Sequence, residues 1–233
     1  MTRSLGDLWP RAVARELMDD AVPASEELAA NLTDIERANR WFGVVGPVAE
    51  FVAGVGAHSV LDVGCGSADI PLALVRDAQR RGNALRVTCL DRSRQMLDVA
   101  RSRTGGHSAL TFLEADGEVL PFEDGTFDVV TCNLALHHFE PPSAIRLLSE
   151  MRRVARLAPL VCDLRRSITA YAGAVAFAYL TSRNRLTRHD APLSVRRAYT
   201  PNEALTLARA GSWTDPRVRR EPFFRMSMSD GAL

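Results

Sequence analysis

The chain has 233 residues, of which 46% are hydrophobic and 24% are charged, and its formal net charge at pH 7 is +1. These values are typical of a soluble globular domain that is large enough to form its own core. A nearly neutral chain lacks the one-sided charge that favours nucleic acid or an anionic membrane, so we expect neither as a partner.

The chain begins with helical patterns and then alternates between strand-like and helical segments. In the first fifty-odd residues, Leu28, Leu32 and Ile35 have helical spacing, and Pro23 and Gly43 mark breaks. The predicted strands are His58–Val63, Leu85–Leu90, Ala109–Glu114, Phe127–Cys132, Ala158–Cys162, Val218–Arg220 and Phe223–Met228. The predicted helices are Ile70–Arg81, Ser93–Arg103, Pro142–Val154, Ile168–Ser182 and Pro201–Gly211.

This alternation predicts a doubly wound α/β fold. Strands that are apolar on both faces, separated by helices, indicate a mostly parallel sheet that is covered on both sides. In such folds ligands bind at the carboxyl ends of the strands. The polar residues that follow the predicted strands should therefore share one site.

The four cysteines predict buried free thiols. They lie far apart without a Cys-x-x-Cys pair, which fits neither a disulfide framework nor a zinc site, so we expect no metal. The N-terminus has no long apolar run of the kind found in a signal peptide. We therefore expect a cytoplasmic protein.

A glycine turn follows the first predicted strand. The stretch from Val60 to Leu74 reads VLDVGCGSADIPLAL, so Gly64 and Gly66 lie between a buried strand and a helix. Glycines allow the backbone to turn sharply and approach a ligand closely, and the helix N-terminus adds free N–H groups. The unit is typical of a nucleotide cradle, although a purely structural turn is the alternative.

Acidic residues end the next two predicted strands. Asp91 is placed to accept hydrogen bonds from the two hydroxyls of a ribose, although it could also cap the following helix, as could Ser93. Asp116 could accept from an adenine amino group, although Asp116-Gly117 is also a common turn pair. The ordered set of turn, acid and acid favours a nucleoside-containing ligand.

With these motifs the chain resembles the class I S-adenosylmethionine-dependent methyltransferases, in particular the small-molecule (type 11) group that includes the ubiquinone and menaquinone methyltransferases. The resemblance covers roughly residues 60–163 and rests on VLDVGCGSADI, LDRSRQML, EADGEVLPFEDGTFDVVTCNLALHHF and RLLSEMRRVAR. It implies S-adenosylmethionine as cofactor and a Rossmann-like, mostly parallel seven-stranded sheet with an antiparallel final strand.

The resemblance also implies the division of the chain and the cofactor site. We expect one domain with a helical lid (1–56), a cofactor-binding core (57–164), a substrate-facing insertion (165–200) and a C-terminal helix and hairpin (201–233). The glycines approach the methionine portion of the cofactor, Asp91 holds the ribose, and Asp116 meets the adenine. The implied cofactor-binding residues are Asp62, Gly64, Cys65, Gly66, Asp91, Arg92, Met96, Asp116, Gly117 and Asn133.

The chain departs from the family pattern at Ala68, where members often carry a third glycine; we expect this alanine to be tolerated. The rival dinucleotide fingerprint fits worse. It requires glycine where this chain has Asp69, and an acid there would repel a pyrophosphate.

Two histidines follow the fourth predicted strand, on the side where a methyl acceptor should lie. A hydroxyl acceptor needs a base, because a neutral alcohol or phenol is a poor nucleophile. We expect His137, with His138 as the alternative, to take the proton, and Asp163 to orient the base. Alternatively, the histidines only pack, and Asp163 pairs with Arg165 or Arg166.

Further candidates for the acceptor site lie in the insertion and the lid. His189, Arg196 and Tyr199 could contact the acceptor, and Arg196 could bind its carboxylate or phenolate. Trp41 could make a cation–π contact with the sulfonium group of the cofactor. The alternatives are a surface loop held by ion pairs for the insertion and core packing for Trp41.

The sequence thus predicts a methyltransferase, a monomer or homodimer, that acts on a small aromatic or polyketide-like acceptor. O-methylation in natural product biosynthesis is the preferred reaction. C-methylation of a phenol or quinone ring and a non-catalytic cofactor-binding regulator remain alternatives.

Overall fold

The structure is a computed structural model that describes residues 9–20 and 25–231. The strands are β1 (Ser59–Val63), β2 (Arg86–Asp91), β3 (Leu110–Glu114), β4 (Phe127–Asn133), β5 (Ala155–Leu164), β6 (Pro216–Glu221) and β7 (Arg225–Asp230). The helices are α1 (Leu17–Asp20), α2 (Ser25–Trp41), α3 (Val45–Gly54), α4 (Asp69–Arg80), α5 (Arg94–Arg103), α6 (Pro141–Val154), α7 (Ile168–Thr181), α8 (Arg185–Arg197) and α9 (Pro201–Ala210). The predicted break at Pro23 lies outside the described residues.

The strands form one seven-stranded sheet in the order β3-β2-β1-β4-β5-β7-β6. Strands β1 to β5 pair in parallel, whereas β7 runs antiparallel to both β5 and β6. The predicted fold class, including the antiparallel final strand, is confirmed. The chain reverses its direction of winding between β1 and β4, which places the switch point of the sheet beside the glycine turn.

Helices cover both faces of the sheet and bury two apolar cores. Leu147 and Met151 of α6 pack with Trp213 on one face, and Leu74 of α4 packs with Leu97 of α5 on the other. Because both faces are covered, the ligand-accessible part of the sheet is its carboxyl edge. Among the described residues, no helix has both the length and the apolar character needed to cross a bilayer.

The insertion between β5 and α9 is mostly helical, so the alternative of a surface loop is wrong. Residues 168–197 form the helices α7 and α8, which pack against each other. Asn184 caps α8 by accepting hydrogen bonds from the N–H groups of Leu186 and Thr187. The sequence hides this helix because Pro192 lies inside it and removes a backbone donor.

The last strand is shifted by two residues toward the C-terminus relative to the prediction Phe223–Met228. Phe223 and Phe224 have φ angles of 56° and 59°, so they form the turn between β6 and β7, and β7 begins at Arg225. The sequence favoured a strand here because aromatic residues are common in strands. It gave no sign of the turn, because residues other than glycine rarely adopt this left-handed backbone.

An N-terminal strap, defined here as residues 9–18, crosses the end of β4 and packs on α8. The N–H of Ala12 donates to Arg196, and the Arg11 guanidinium donates to the carbonyls of His137, Phe139 and Arg197. The strap is therefore fixed to the turn that follows β4.

Gly117, directly after β3, is a position where packing requires a glycine. A Cβ built there would lie 2.7 Å from Cγ1 of Val63 and 3.2 Å from Cδ1 of Leu147. We expect Gly117→Ala to lower the free energy of unfolding by about 1–3 kcal/mol through overpacking, as measured by urea denaturation. Gly173→Ala in α7 is the control, because its Cβ would make an ordinary 3.7 Å contact with Phe224. Equal stabilities would contradict this account.

Candidate active site

Polar side chains collect at the carboxyl edge of the sheet. Asp62, Asp91, Asn133 and Asp163 occupy the ends of β1, β2, β4 and β5. Because β4 pairs with both β1 and β5, its polar residue Asn133 lies between the two buried acids of those strands.

Asp62 and Asn133 form a buried network. Oδ1 of Asp62 accepts hydrogen bonds from the Thr131 hydroxyl at 2.6 Å and from Nδ2 of Asn133 at 2.7 Å. Burial raises the pKa of the Asp62 carboxyl to about 7. Oδ1 of Asn133 is buried and has no partner among the described residues. An unsatisfied acceptor beside a carboxylate suits a ligand that carries a cationic donor.

The glycine turn needs its glycines for two different reasons. Gly64 and Gly66 have φ angles of 73° and 53°, in the left-handed region. A Cβ on Gly64 would also lie 2.8 Å from Cβ of Ala135, whereas one on Gly66 would meet no protein atom within 4 Å. Gly66 therefore leaves open space above the turn, and its N–H donates to Oδ2 of Asp91 at 3.1 Å.

Ala68 also has a left-handed backbone, with φ at 57°, directly before α4. This conformation explains why glycine suits the position. The methyl group of Ala68 is fully buried in the core. The residue therefore combines a strained backbone with buried apolar contacts.

The other predicted cofactor residues take varied positions. Cys65 points inward: its N–H donates to Leu90, and hydrogen bonding with Cys89, together with burial, raises the pKa of its thiol. Asp116 and Arg92 are exposed, and Oδ1 of Asp116 accepts from the N–H of Glu118. Met96 is half-buried, and its N–H donates to the capping hydroxyl of Ser93.

His137 and Asp163 form a buried pair. Nδ1 of His137 lies 2.7 Å from Oδ1 of Asp163, and the N–H of His137 donates to Oδ2 of the same carboxylate at 2.8 Å. Arg166 is engaged elsewhere, since it donates to Glu203 and to the carbonyls of Trp9 and Ala198. A pairing of Asp163 with Arg166 is therefore not what the structure shows.

Glu16 is the site residue that the sequence did not reveal. It lies on the strap with 4% of its surface exposed, and its carboxylate is 3.8 Å from Nε2 of His137 and 3.9 Å from Nε2 of His138. Burial raises the pKa of the Glu16 carboxyl. No local pattern marks it, because its partners are more than a hundred positions away in the chain.

Asp190 and Ser194 of α8 hold Glu16 in place. The carboxylate of Asp190 accepts hydrogen bonds from the N–H groups of Leu17 and Met18, next to Glu16. The Ser194 hydroxyl donates to Oε1 of Glu16 at 2.8 Å. The insertion thus shapes the site through the strap.

The other predicted acceptor-binding residues lie around this centre. Tyr199 is buried and donates its hydroxyl to Phe139, and Arg11 stacks 4.6 Å above its ring. Arg196 lies 5.6 Å from the ring centre of Trp9. Both residues therefore contact the strap.

His189 and Trp41 point away from the buried histidine. His189 is exposed in a groove between α7 and α8, and its Nδ1 lies 2.7 Å from Asp190. Trp41 is 55% exposed and packs edge-on against Phe177, so it is not a core residue.

Comparison with known proteins shows what residues 60–157 are similar to. Residues 60–157 match the family model described as "Methyltransferase domain". Within this region, the match and the fold agree with the resemblance to the class I S-adenosylmethionine-dependent methyltransferases. The cofactor that the resemblance implies is S-adenosylmethionine.

Individual relatives agree with this class. The chain is 39% identical over 98 residues to the demethylmenaquinone methyltransferase of Bacillus subtilis, which is 41% of this chain and 40% of that protein. The chain thus spans about 40% of the length of this curated relative. Its fold is similar to that of the S-adenosylmethionine-dependent methyltransferase SibL, with a TM-score of 0.64, 22% identity and coverage of 96% of this chain and 64% of that one. A second similar structure, described as a putative O-methyltransferase from Nostoc punctiforme, has a TM-score of 0.63, 15% identity and coverage of 94% and 64%.

The residues at the edge fit this cofactor. The buried Oδ1 of Asn133 and the carboxylate of Asp62 can accept hydrogen bonds from an amino acid ammonium group. The open space above Gly66 would be filled by a side chain at that position.

Gly66→Ala tests whether that space holds the cofactor. We expect the affinity for S-adenosylmethionine to fall at least tenfold, measured by calorimetric titration, because the new methyl group occupies the cradle. The matched control is Gly56→Ala, which has the same left-handed backbone (φ 67°) and equally open surroundings but precedes β1. Both variants should lose about 1–2 kcal/mol of stability from the backbone strain. Equal affinities in the two variants would contradict the assignment.

The pKa of Asp62 predicts a pH-dependent stability. The folded state binds this proton more tightly than the unfolded chain, in which the pKa is near the ordinary value of 3.8. The free energy of unfolding should therefore decrease, relative to Asp62→Asn, as the pH rises from about 4 to about 7. Urea denaturation of the two ligand-free proteins across this range measures the difference. A difference that stays constant with pH would show that burial does not raise the pKa of Asp62.

Proposed function

We propose that the protein transfers a methyl group from S-adenosylmethionine to a hydroxyl group of a small aromatic or polyketide-like acceptor, as a step in natural product biosynthesis. The observation that carries this proposal is the buried pair of His137 and Asp163, which lies on the same edge of the sheet as the glycine turn. A buried histidine that is oriented by a carboxylate can act as the general base that a hydroxyl nucleophile needs.

The reaction determines what the cofactor and the protein must each provide. The cofactor supplies a methyl group that is activated by its positively charged sulfur. The protein must bring the acceptor oxygen into line with that methyl group, exclude water and accept the acceptor's proton.

His137 is suited to accept this proton at Nε2. Asp163 takes the hydrogen bond from Nδ1–H, so the lone pair remains on Nε2. The same carboxylate accepts from the backbone N–H of His137, which fixes the residue relative to β5. When His137 becomes charged, the carboxylate stabilises the imidazolium at 2.7 Å.

The strap supports the exclusion of water from this base. His137 is 3% exposed, and Arg11 bonds to its carbonyl while Glu16 faces its ring. We infer that the acceptor reaches Nε2 when the strap shifts, and that the strap then covers the reacting groups.

Methylation of a phenol or quinone ring carbon is the second candidate. It is favoured by the relatives, whose name states that they methylate demethylmenaquinone. The same base would remove a proton from a ring hydroxyl and so make the ring carbon nucleophilic. NMR analysis of the product distinguishes the two reactions, because one forms a methyl ether and the other a ring methyl group.

The first test is calorimetric titration with S-adenosylmethionine and with its demethylated product. We expect micromolar binding of both ligands that is lost in Asp91→Ala, followed by turnover with phenolic acceptors in a screen. Binding without turnover of any acceptor would favour the non-catalytic regulator. Absence of binding at millimolar ligand would overturn the proposal.

Substitution of the base gives the second test. With an acceptor found in the screen, His137→Asn should lower kcat by about 10²–10⁴-fold, because proton transfer loses its general base. The dissociation constant of S-adenosylmethionine should stay unchanged in the same variant. His58→Ala, which removes an exposed histidine before β1, is the control with wild-type kcat.

His138→Ala separates the two candidate bases, since only the residue that takes the proton should show the large loss. Unchanged turnover in the double variant His137→Ala/His138→Ala would exclude base catalysis by either histidine.

A further inference from the structure

We propose that Glu16, His137 and His138 form a binding site for one divalent transition-metal ion of the zinc class. Each of the three side chains offers one ligand atom, and these atoms lie within 4.8 Å of one another. Two imidazoles and one carboxylate are a donor set that zinc and its neighbours in the first transition series prefer.

The spacing of the ligand atoms suits an ion in the middle. Nε2 of His137 and Nε2 of His138 lie 3.8 and 3.9 Å from the two carboxylate oxygens of Glu16, too far for direct hydrogen bonds. In a tetrahedral site with bonds of about 2.0–2.1 Å, neighbouring ligand atoms are about 3.3 Å apart. Nε2 of each histidine would approach Glu16 by about 0.5 Å, and no two of the ligand atoms would have to approach each other by more than about 1.5 Å.

The groups behind the ligands are also arranged as in a metal site. Asp163 holds Nδ1 of His137 at 2.7 Å, which leaves Nε2 with a lone pair that faces the ion. Ser194 donates to Oε1 of Glu16 and so fixes the carboxylate. A hydrogen-bonded outer partner on a histidine and on a carboxylate raises ligand basicity and sets orientation.

The charges around the cluster are compatible with a divalent cation. Glu16, Asp163 and Asp190 carry negative charges near the site, and Nη1 of Arg197 lies 3.9 Å from Oε1 of Glu16. The guanidinium of Arg11 also lies nearby, since it donates to the carbonyl of His137, so these three acids face two guanidinium groups. The ion would therefore reduce the charge imbalance in a buried region.

An ion at this place would have two consequences. It would join the strap, through Glu16, to the turn after β4 and so hold the strap closed. It would also occupy the Nε2 lone pair of His137. The metal would then inhibit methyl transfer, and this second consequence is the one that rests on the proposed function.

The test uses the full chain after dialysis against a chelator. Titration with Co²⁺ should produce the visible absorption of a four- or five-coordinate ion with a stoichiometry of one, and Zn²⁺ should displace it. His138→Ala and Glu16→Gln should each weaken binding of both ions at least tenfold. His58→Ala is the matched control and should bind as the wild type does. Circular dichroism checks that each variant is folded, and the partly exposed side chain of His138 makes its replacement the milder change.

Two results would overturn the metal site. One is the absence of Co²⁺ and Zn²⁺ binding at millimolar concentration, and the other is binding that persists in both ligand variants. Specific binding without inhibition of methyl transfer would support the metal site and instead contradict the role of His137 as base. The failure of one proposal is thus distinguishable from the failure of the other.

Discussion

The carboxyl edge of the sheet depends on the burial of two carboxylates at the ends of neighbouring parallel strands. A buried acid is costly unless hydrogen-bond donors surround it. Asp62 on β1 obtains its donors from Thr131 and Asn133 on β4, whereas Asp163 on β5 obtains its donors from His137 in the turn after β4. Strand β4 and the turn that follows it therefore supply donors to both acids. Its register with β1 and β5 fixes the positions of the two acids relative to each other.

Much of this edge could be predicted because its signals are local. An apolar strand that ends in an acid and a glycine turn appears directly in VLDVGCG, and the parallel order of strands follows from alternation with helices. The strand ends therefore located Asp62, Asp91 and Asp163, whereas Asn133 was implied by the family resemblance. Proximity of His137 to Asp163 followed from the expectation that their strands are neighbours, which the pairing of β4 with β5 confirms.

The parts that escaped prediction depend on contacts distant in sequence or on conflicting local signals. Glu16 joins the site through partners at positions 137, 138 and 194, and no pattern around residue 16 announces them. The helix α8 contains Pro192 and a basic, weakly apolar sequence, so local propensity favoured a loop. Packing on α7 and the strap decides in favour of the helix.

The glycines show why a residue type alone does not define a role. Gly64 is required by both its backbone angle and the nearby Ala135, and Gly117 only by the side chains around it. Gly66 is required by its backbone angle and leaves open space above it. Ala68 adopts the same left-handed backbone despite its Cβ. Of these four positions, the open space distinguishes Gly66 as the one where a side chain would compete with a ligand.

The edge is divided into two electrostatic regions by β4. Asp62 and the free acceptor of Asn133 lower the cost of placing a cationic ligand at the end of β1. Asp163 contacts Nδ1 of His137 in the turn after β4, and the carboxylate of Glu16 faces Nε2 of the same ring. Because Asp190 and Ser194 of α8 set the position of Glu16, the insertion positions the carboxylate that faces His137. Substitutions in α8 can therefore alter the chemistry at the end of β4 without touching any residue of the sheet.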